Sequence, residues 1–402
     1  MASISIIPLA ITVSQNYRQH IPQVHIDPPL APHYNYSTVA HKTAKQTTAE
    51  TTAPIVFCLM SGGVDSSVAA ALLLREGYRV VGCYIRCWSD EATCAWREDQ
   101  DDVRRVAQHL GIPFYTFNLE EEYYASVVEY MLDAYKQGIT PNPDIMCNSA
   151  IKFGIFLDKA RELGADFVAT GHYAHIDGTY PRRRVYKGVD PGKDQTYFLW
   201  RLTQTQLRYA IFPVGKFQKS EVRALAKEMG LPVWNKKDSQ GICFMGSVKV
   251  FDFLKEKIGM KIGDIVDESG KKLGSHYGVH LYTIGQRKGM GVGGGVPYYV
   301  ARKNVATNTL VVAPITSTTL YKSTAEVSQV NIISPRTIKA PYTIQAKIRY
   351  QQPDQEATIT ALDRRKKRLT IEFAEPQRAI SPGQSLVLYR DTELMGGGII
   401  DK

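Results

Sequence analysis

The chain has 402 residues, 44% of them hydrophobic, and this length favours two or three domains over a single core. Its six cysteines lack the paired spacing of a secreted disulfide scaffold, which predicts a reducing compartment, and no apolar run is long enough to cross a bilayer. The net charge of +10 is compatible with a polyanionic partner such as nucleic acid but does not require one.

Residues 1–53 differ in composition from the rest of the chain. They are rich in Thr, Ser, Ala, His and Pro, and their only acidic residues are Asp27 and Glu50. Because they show no sustained helical or strand period, we interpret them as a mobile N-terminal extension. A transit peptide is the alternative, but few Lys or Arg residues and no amphipathic stretch favour a plain tail. The expected location is therefore the cytoplasm, or an organelle if residues 1–53 are a transit peptide.

Strand and helix patterns alternate through residues 54–243, which we predict to be the catalytic domain. Strands are predicted at 55–60, 79–85, 114–117 and 166–170, and helices at 66–76, 101–110, 121–136 and 151–163. Glycines follow several of these helices as stop signals. This alternation is typical of an α/β doubly wound parallel sheet, which binds ligands at the carboxyl ends of its strands.

The pattern changes after about residue 245, where one more helix is predicted at 248–258. Short β-branched or alternating runs then follow at 281–284, 298–301, 309–312, 327–333, 343–350, 357–361, 369–373 and 385–389. These runs predict a small β-rich central domain at 244–320 and a C-terminal β-barrel at 321–402. The basic run Arg364–Arg368 is interpreted as an exposed hairpin.

An eight-residue stretch between the first predicted strand and helix carries the clearest chemical signal. It consists of Leu59, Met60, Ser61, Gly62, Gly63, Val64, Asp65 and Ser66. Adjacent glycines let the backbone turn tightly and present N–H groups to an anion, and the helix N-terminus adds the positive end of its dipole. Serine hydroxyls can donate to phosphate oxygens, whereas Asp65 can cap the helix or hold Mg²⁺ beside the phosphates.

This stretch lacks the Gly-Lys-[Ser/Thr] ending of a Walker loop and resembles the PP-loop, Ser-Gly-Gly-x-Asp-Ser, of ATP pyrophosphatases. That resemblance implies cleavage of ATP between the α and β phosphates and an adenylated intermediate. The alternative is an ordinary glycine turn with serine caps. The position between a strand and a helix favours nucleotide binding.

Cys147 and Cys243 stand out among the cysteines because of their neighbours. Cys147 lies in a loop stiffened by two prolines, just before a predicted helix, where a thiol gains thiolate character. Asp144 precedes it by three residues and can act as a general base. Cys243 follows Gly241 between the α/β region and the β-rich region.

The alternative for any one cysteine is a buried, inert side chain. We expect this for Cys58 and Cys83, which lie on predicted strands. The spacing of Cys83, Cys87 and Cys94 fits no zinc pattern, so we predict no metal bound by these cysteines.

From about residue 54 to 402 the chain resembles the tRNA-specific 2-thiouridylases. The resemblance depends on the order and spacing of several motifs, none decisive alone: Met-Ser-Gly-Gly-Val-Asp-Ser-Ser (60–67), Thr-Pro-Asn-Pro-Asp-Ile-Met-Cys-Asn (140–148), Ala-Thr-Gly-His-Tyr (169–173), Lys-Asp-Gln-Thr-Tyr-Phe-Leu (193–199), Gly-Ile-Cys-Phe (241–244) and Tyr-Thr-Ile-Gly-Gln-Arg-Lys-Gly (282–289).

The resemblance implies roles for individual residues. ATP would lie on Leu59 to Ser66, with further contacts at Ile85 and Gly171, and Cys243 would carry a persulfide resolved by Cys147. Contacts to tRNA would come from Asn142, Pro143, Asp144, His172, Lys193, Asp194, Gln195, Arg349, Tyr350 and Gln384, the first three of them at the target uridine. It also implies a protein that delivers sulfur, such as a cysteine desulfurase or a relay.

The chemistry expected from these parts is adenylation of uridine O2 followed by attack of the persulfide sulfur on C2. Three other functions are alternatives to this one. A small-molecule ligase of the PP-loop class would not need the two cysteines or the basic β-rich region. An RNA-binding protein without activity would not need an intact loop, Asp144 and both cysteines. A thiolase with an iron–sulfur cluster is disfavoured because no Cys-x-x-Cys pair occurs.

Overall fold

A computed structural model describes residues 53–89, 96–238, 250–293 and 295–401. Residues 1–52, Cys94 and Cys243, on which several predictions fall, lie outside the described residues. Within these ranges no helix is long and apolar enough to span a membrane.

The described strands fall into three sheets. In chain order they are β1 Ile55–Leu59, β2 Arg79–Arg86, β3 Phe114–Asn118, β4 Phe167–Thr170, β5 Ala174–Asp177, β6 Arg184–Lys187, β7 Ala210–Ile211, β8 Gly263–Val266, β9 Lys272–His276, β10 Tyr298–Asn304, β11 Thr309–Pro314, β12 Tyr321–Ile332, β13 Tyr342–Lys347, β14 Gln355–Asp363, β15 Arg368–Arg378, β16 Ser385–Arg390 and β17 Glu393–Ile400.

The described helices lie mostly in the first half of the chain. The α-helices are α1 Val64–Arg75, α2 Trp96–Leu110, α3 Glu120–Tyr123, α4 Glu129–Lys136, α5 Pro143–Met146, α6 Phe156–Glu162, α7 Gln204–Leu207, α8 Lys219–Glu228 and α9 Val250–Ile258. Two π-helices occupy Tyr124–Val128 and Cys147–Ile155, and short 3₁₀ turns occupy Thr196–Leu199, Pro213–Lys216, Val279–Leu281 and Thr318–Leu320.

The first sheet is parallel, in the order β3-β2-β1-β4-β7, which confirms the predicted doubly wound fold. Alternate side chains of β1 enter different cores because strand residues alternate between faces. Val56 and Cys58 pack with α1 and α8, whereas Phe57 and Leu59 pack against Phe156 and the other helices on the opposite face. Both faces are therefore buried, and the carboxyl ends of β1, β2 and β4 meet at one edge.

The two β-rich regions that follow are also confirmed. β10-β11-β8-β9 form a four-stranded sheet, and β12-β15-β14-β13-β16-β17 close into a six-stranded barrel through the β12–β17 pairing. The barrel core is built from inward-facing aliphatic residues such as Ile359, Ile371 and Leu388. The hairpin β5–β6, which follows the parallel sheet in sequence, pairs with β17 and so joins the first region to the barrel.

Several predicted bounds were wrong. The predicted strand at 281–284 is not a strand, because Val279–Leu281 form a 3₁₀ turn. The helix predicted to begin at residue 151 begins at Pro143, after which helical turns continue to Glu162. The segment around Cys147, predicted as a loop, is therefore helical. The hairpin at Arg364–Arg368 is confirmed, with β14 ending at Asp363 and an exposed turn before β15.

Candidate active site

A cavity of about 840 Å³ opens at the carboxyl edge of the parallel sheet. Its walls come from the loop after β1, the end of β2, the loop after β4, helix α5 with the π-helix that follows, and Tyr350 of the barrel region. The PP-loop residues and the Asp144–Cys147 turn, which are about 80 residues apart in sequence, therefore share one cavity. Parallel sheets gather such distant loops because all their strands end on the same side.

The PP-loop is folded by its own hydroxyl and amide groups. Gly62 has a φ of +74°, a left-handed conformation that permits the turn after β1. The Ser66 hydroxyl accepts a hydrogen bond from the Ser61 N–H (3.1 Å) and donates to Gly63 O (3.3 Å), and the Ser67 hydroxyl also donates to Gly63 O (2.8 Å). These bonds fix the loop at the N-terminus of α1, where the helix dipole favours an anion.

Asp65 does not cap α1, which was one of its two predicted roles. Gly63 is the N-cap residue and no side chain caps the helix. Instead, Asp65 Oδ1 accepts hydrogen bonds from the Tyr173 hydroxyl (2.8 Å) and from Lys219 Nζ (2.6 Å). The carboxylate thus lies in the first turn of α1 and faces the cavity.

Lys219 connects Asp65 to a second carboxylate, that of Asp238. Its Nζ lies 2.9 Å from Asp238, which is also bound by Lys193 (2.7 Å) and Arg223 (2.5 Å). Burial opposes ionisation of Asp238, but hydrogen bonds from Lys193 and Lys219 outweigh it and lower its pKa from 3.8 to about 2. Lys219 itself is only 11% exposed although it starts α8, where the helix dipole disfavours a cation.

Two further predicted nucleotide contacts line the cavity. Ile85 lies near the end of β2 and offers an apolar surface. Gly171 follows β4 and lies against the PP-loop so closely that an added Cβ would be 2.7 Å from Ser66 N. A side chain at position 171 would therefore separate the two loops.

Asp144 and Cys147 lie three residues apart, on the helical turn where α5 continues into the π-helix. The Asn142 side chain caps α5 by accepting a hydrogen bond from Ile145 N–H (3.4 Å). Burial raises the pKa of Asp144, and the nearby Lys152 ammonium partly opposes the shift. Cys147 is only 4% exposed and borders the cavity at the start of the π-helix.

His172 is an uncharged polar group in the cavity wall. It is 9% exposed, and its Nδ1 lies 2.7 Å from Thr170 Oγ1. Burial, together with the charge of Lys152, holds the pKa of His172 well below 6.5. A neutral imidazole at this position can donate or accept one hydrogen bond without adding charge to the cavity.

The predicted tRNA contacts divide into two groups. Lys193, Gln195 and Tyr350 border the cavity beside His172, and Tyr350 packs on Phe198 with ring centroids 4.5 Å apart. Lys193 also pairs with Asp238 (2.7 Å), and Gln195 Oε1 accepts a hydrogen bond from the Tyr173 N–H (3.0 Å).

The other predicted contacts do not border the cavity and are held by contacts within the protein. Asp194 is buried and accepts hydrogen bonds from the backbone and side chain of Thr196. Arg349 donates to the carbonyls of Arg378 and Ala379. Gln384 donates to the carbonyls of Thr140 and Pro141, and Pro143 is buried in α5.

Sequence reasoning missed three polar residues of the site. Lys152 lines the cavity five residues after Cys147, but in sequence it is indistinguishable from a solvated helix residue. Tyr173 is the last residue of the Ala-Thr-Gly-His-Tyr motif (169–173), so the motif could have identified it. Lys219 gave none, since only the tertiary fold brings it to Asp65.

The strand cysteines behave as expected. Cys58 and Cys83 are fully buried, and burial raises the pKa of both thiols, that of Cys58 to about 12. Cys87 is half-buried and borders the cavity. In the described part of the chain, no group of three or more His, Cys, Asp or Glu side chains could hold a metal ion.

Three family models match consecutive parts of the chain. A tRNA methyl transferase HUP domain matches residues 54–247, a tRNA methyl transferase PRC-barrel domain matches 251–314, and an aminomethyltransferase β-barrel domain matches 322–400. Their order agrees with the parallel sheet, the central sheet and the closed barrel.

Named relatives match most of the chain. The tRNA-specific 2-thiouridylase MnmA of Geobacillus thermodenitrificans is 45% identical over 348 residues, covering 85% of this chain and 93% of the relative. The MnmA proteins of Shouchella clausii and Enterococcus faecalis are 46% and 45% identical, each covering 85% of this chain and respectively 95% and 94% of the relative. With this identity over nearly the whole length of these relatives, the chain belongs to the tRNA-specific 2-thiouridylase family.

Proposed function

We propose that this chain is a tRNA 2-thiouridylase that adenylates the C2 oxygen of a wobble uridine and replaces this oxygen with sulfur, forming 2-thiouridine, AMP and pyrophosphate. One observation carries the proposal: the PP-loop and the Asp144–Cys147 turn line the same cavity. An adenylating loop and a thiol within one cavity are what activation followed by sulfur attack requires. Membership of the 2-thiouridylase family supports tRNA as the substrate.

In the first step uridine O2 attacks the α-phosphorus of ATP and pyrophosphate leaves. The amides of the PP-loop and the dipole of α1 would stabilise the phosphate charge. Since Asp65 Oδ1 is bonded to Tyr173 and Lys219, a Mg²⁺ ion would be held by the other carboxylate oxygen, Oδ2, and would complete its shell with substrate phosphates and water. Bound there, Mg²⁺ would neutralise charge on the leaving pyrophosphate.

In the second step sulfur attacks C2 and AMP leaves. Cys243 would carry the persulfide, as the chain's resemblance to the 2-thiouridylases implies. Either the outer persulfide sulfur attacks C2 while the Cys147 thiolate attacks the inner sulfur, or Cys147 first releases hydrosulfide, which then attacks. Both routes end in a Cys147–Cys243 disulfide, which an external reductant must reduce before the next turnover.

Asp144 is proposed as the acid/base at the uridine, since a carboxyl with a raised pKa can exchange protons closer to neutral pH. The uridine would leave its stack to enter the cavity. Asn142, Pro143, His172, Lys193, Asp194, Gln195, Arg349 and Tyr350 are proposed to surround the tRNA; those with internal bonds would shape the surface that the RNA meets. A cysteine desulfurase or a sulfur relay would load Cys243, and the cytoplasm is the proposed location.

The test is a reconstituted reaction with unmodified tRNA, ATP, Mg²⁺ and a persulfide donor. We expect 2-thiouridine and AMP from the wild type and no 2-thiouridine from Cys147→Ser or Cys243→Ser. Full activity in either variant would overturn the two-cysteine mechanism. Because the HUP and PRC-barrel models are named for methyl transfer, a parallel reaction should contain a labelled methyl donor. Methylated tRNA without thiolation would refute the proposed function.

A further inference from the structure

The segment at residues 138–141, called here the junction segment, connects α4 to α5. Its last residue precedes Asn142, which caps α5, so the segment leads directly to Asp144 and Cys147. Thr140 is buried at 8% exposure although it carries a hydroxyl. Contacts from the barrel and from the central β-rich region converge on it.

The barrel contact comes from the turn between β15 and β16. Gln384 Nε2 donates hydrogen bonds to Thr140 O (2.8 Å) and Pro141 O (3.4 Å). Gly383, at φ +87°, lies so close that an added Cβ would be 2.1 Å from Ile139 Cγ2. Only glycine allows this approach of the barrel turn to the junction segment.

The central contact comes from Thr283, in the turn after the 3₁₀ helix Val279–Leu281. Thr283 Oγ1 lies 3.2 Å from Thr140 Oγ1. Its own backbone is held by Gln286, whose Oε1 accepts a hydrogen bond from Thr283 N–H (3.0 Å). Thr140 therefore bonds both β-rich regions, one through its carbonyl and the other through its hydroxyl.

We propose that Gln384 and Thr283 are positioning residues for sulfur transfer, which hold Thr140 and thereby place the Asp144–Cys147 turn. Prolines at 141 and 143 fix φ on either side of Asn142, so a displacement of Thr140 is passed to α5 instead of being absorbed. The Gln384 amide donates to two carbonyls of the protein, so this role differs from the direct tRNA contact that the resemblance implies for Gln384. The inference is based on the proposed function.

The experiment compares Gln384→Leu and Thr283→Val with the wild type. Thr283→Ser keeps the hydroxyl and serves as the conservative variant, and Gln108→Leu, on the exposed face of α2, is the matched glutamine control. Three quantities are measured: the Kd for tRNA by fluorescence anisotropy, kcat for thiolation at saturating tRNA, and the rate of iodoacetamide alkylation of Cys147 without RNA.

We expect Gln384→Leu and Thr283→Val to lower kcat about tenfold to a hundredfold, since a misplacement of about 1 Å can cost that much, while Kd changes less than about twofold. Alkylation of Cys147 should become faster by about fivefold or more, because loosening the turn exposes a buried thiol. Thr283→Ser and Gln108→Leu should match the wild type in all three quantities.

A raised Kd with unchanged kcat would overturn the proposal and make Gln384 an RNA contact. Unchanged values in both test variants would also overturn it. If Gln384→Leu does not fold, Thr283→Val, which replaces one hydroxyl by a methyl group, still tests whether the contacts with Thr140 place the Asp144–Cys147 turn. If the wild type thiolates no tRNA, the proposed function fails, whereas the alkylation rates still test whether these residues hold the turn.

Discussion

Replacing Gly171 by alanine tests whether the loop after β4 and the PP-loop form one nucleotide site. The new Cβ would lie 2.7 Å from Ser66 N and 2.9 Å from Asp65 C, both backbone atoms that cannot rotate away. Ordinary contact begins at 3.4 Å, so the loops must separate by about 0.7 Å. Overpacking of this kind costs about 1–3 kcal/mol, which corresponds to a fall in Tm of roughly 2–12 °C.

The larger effect is expected on ATP binding. Displacing the Ser66 amide would weaken its proposed hydrogen bond to a charged phosphate, worth about 1.5–3 kcal/mol, so Kd for ATP should rise roughly 10- to 150-fold. Isothermal titration calorimetry with ATP and Mg²⁺ measures this. Gly293→Ala is the control, since nothing lies within 4 Å of its Cβ position. If Gly171→Ala binds ATP within twofold of the wild type, the assignment of Gly171 to the nucleotide site is wrong.

Three further outcomes are expected. Lys219→Met should lower the free energy of unfolding by about 1–3 kcal/mol in urea titrations, because it leaves Asp65 and Asp238 without a shared cation. Lys219→Arg keeps the positive charge and should therefore retain part of this stabilisation. The pKa of Asp238 is lowered from 3.8 to about 2 in the folded protein, so its contribution to stability should be complete above about pH 4 and be lost as pH falls towards 2. Asp238→Asn should lack this acid-dependent loss of stability. An equal loss in both proteins would contradict the role assigned to Asp238. At pH 8, iodoacetamide should label half-buried Cys87 before Cys58, whose pKa is raised to about 12. Peptide mass spectrometry measures the order of labelling, and labelling of Cys58 first would contradict this prediction.

Much of the fold could be predicted from local patterns. Buried parallel strands appear as short apolar runs, and glycines mark where helices end, so β1 to β4 were predicted to within two residues. The barrel strands alternate between inward and outward residues, which also shows in sequence. The strand predicted at 281–284 failed because a β-branched run alone does not specify a partner strand, and here the chain turns instead.

The motifs identified the PP-loop, Asp144 and Cys147, because their chemistry depends on residues adjacent in sequence. The sequence alone thus determined the alternation of β1 to β4 with their helices, most barrel strands, the PP-loop and the family, but it did not predict β5 to β9, β17, α7 or α8. The tertiary structure decided which side chains share the cavity, which predicted contacts bond within the protein, and how Lys219 and Gln384 reach residues more than 150 positions away. The reason is that such contacts depend on how whole sheets pack, and no local pattern records a partner that distant.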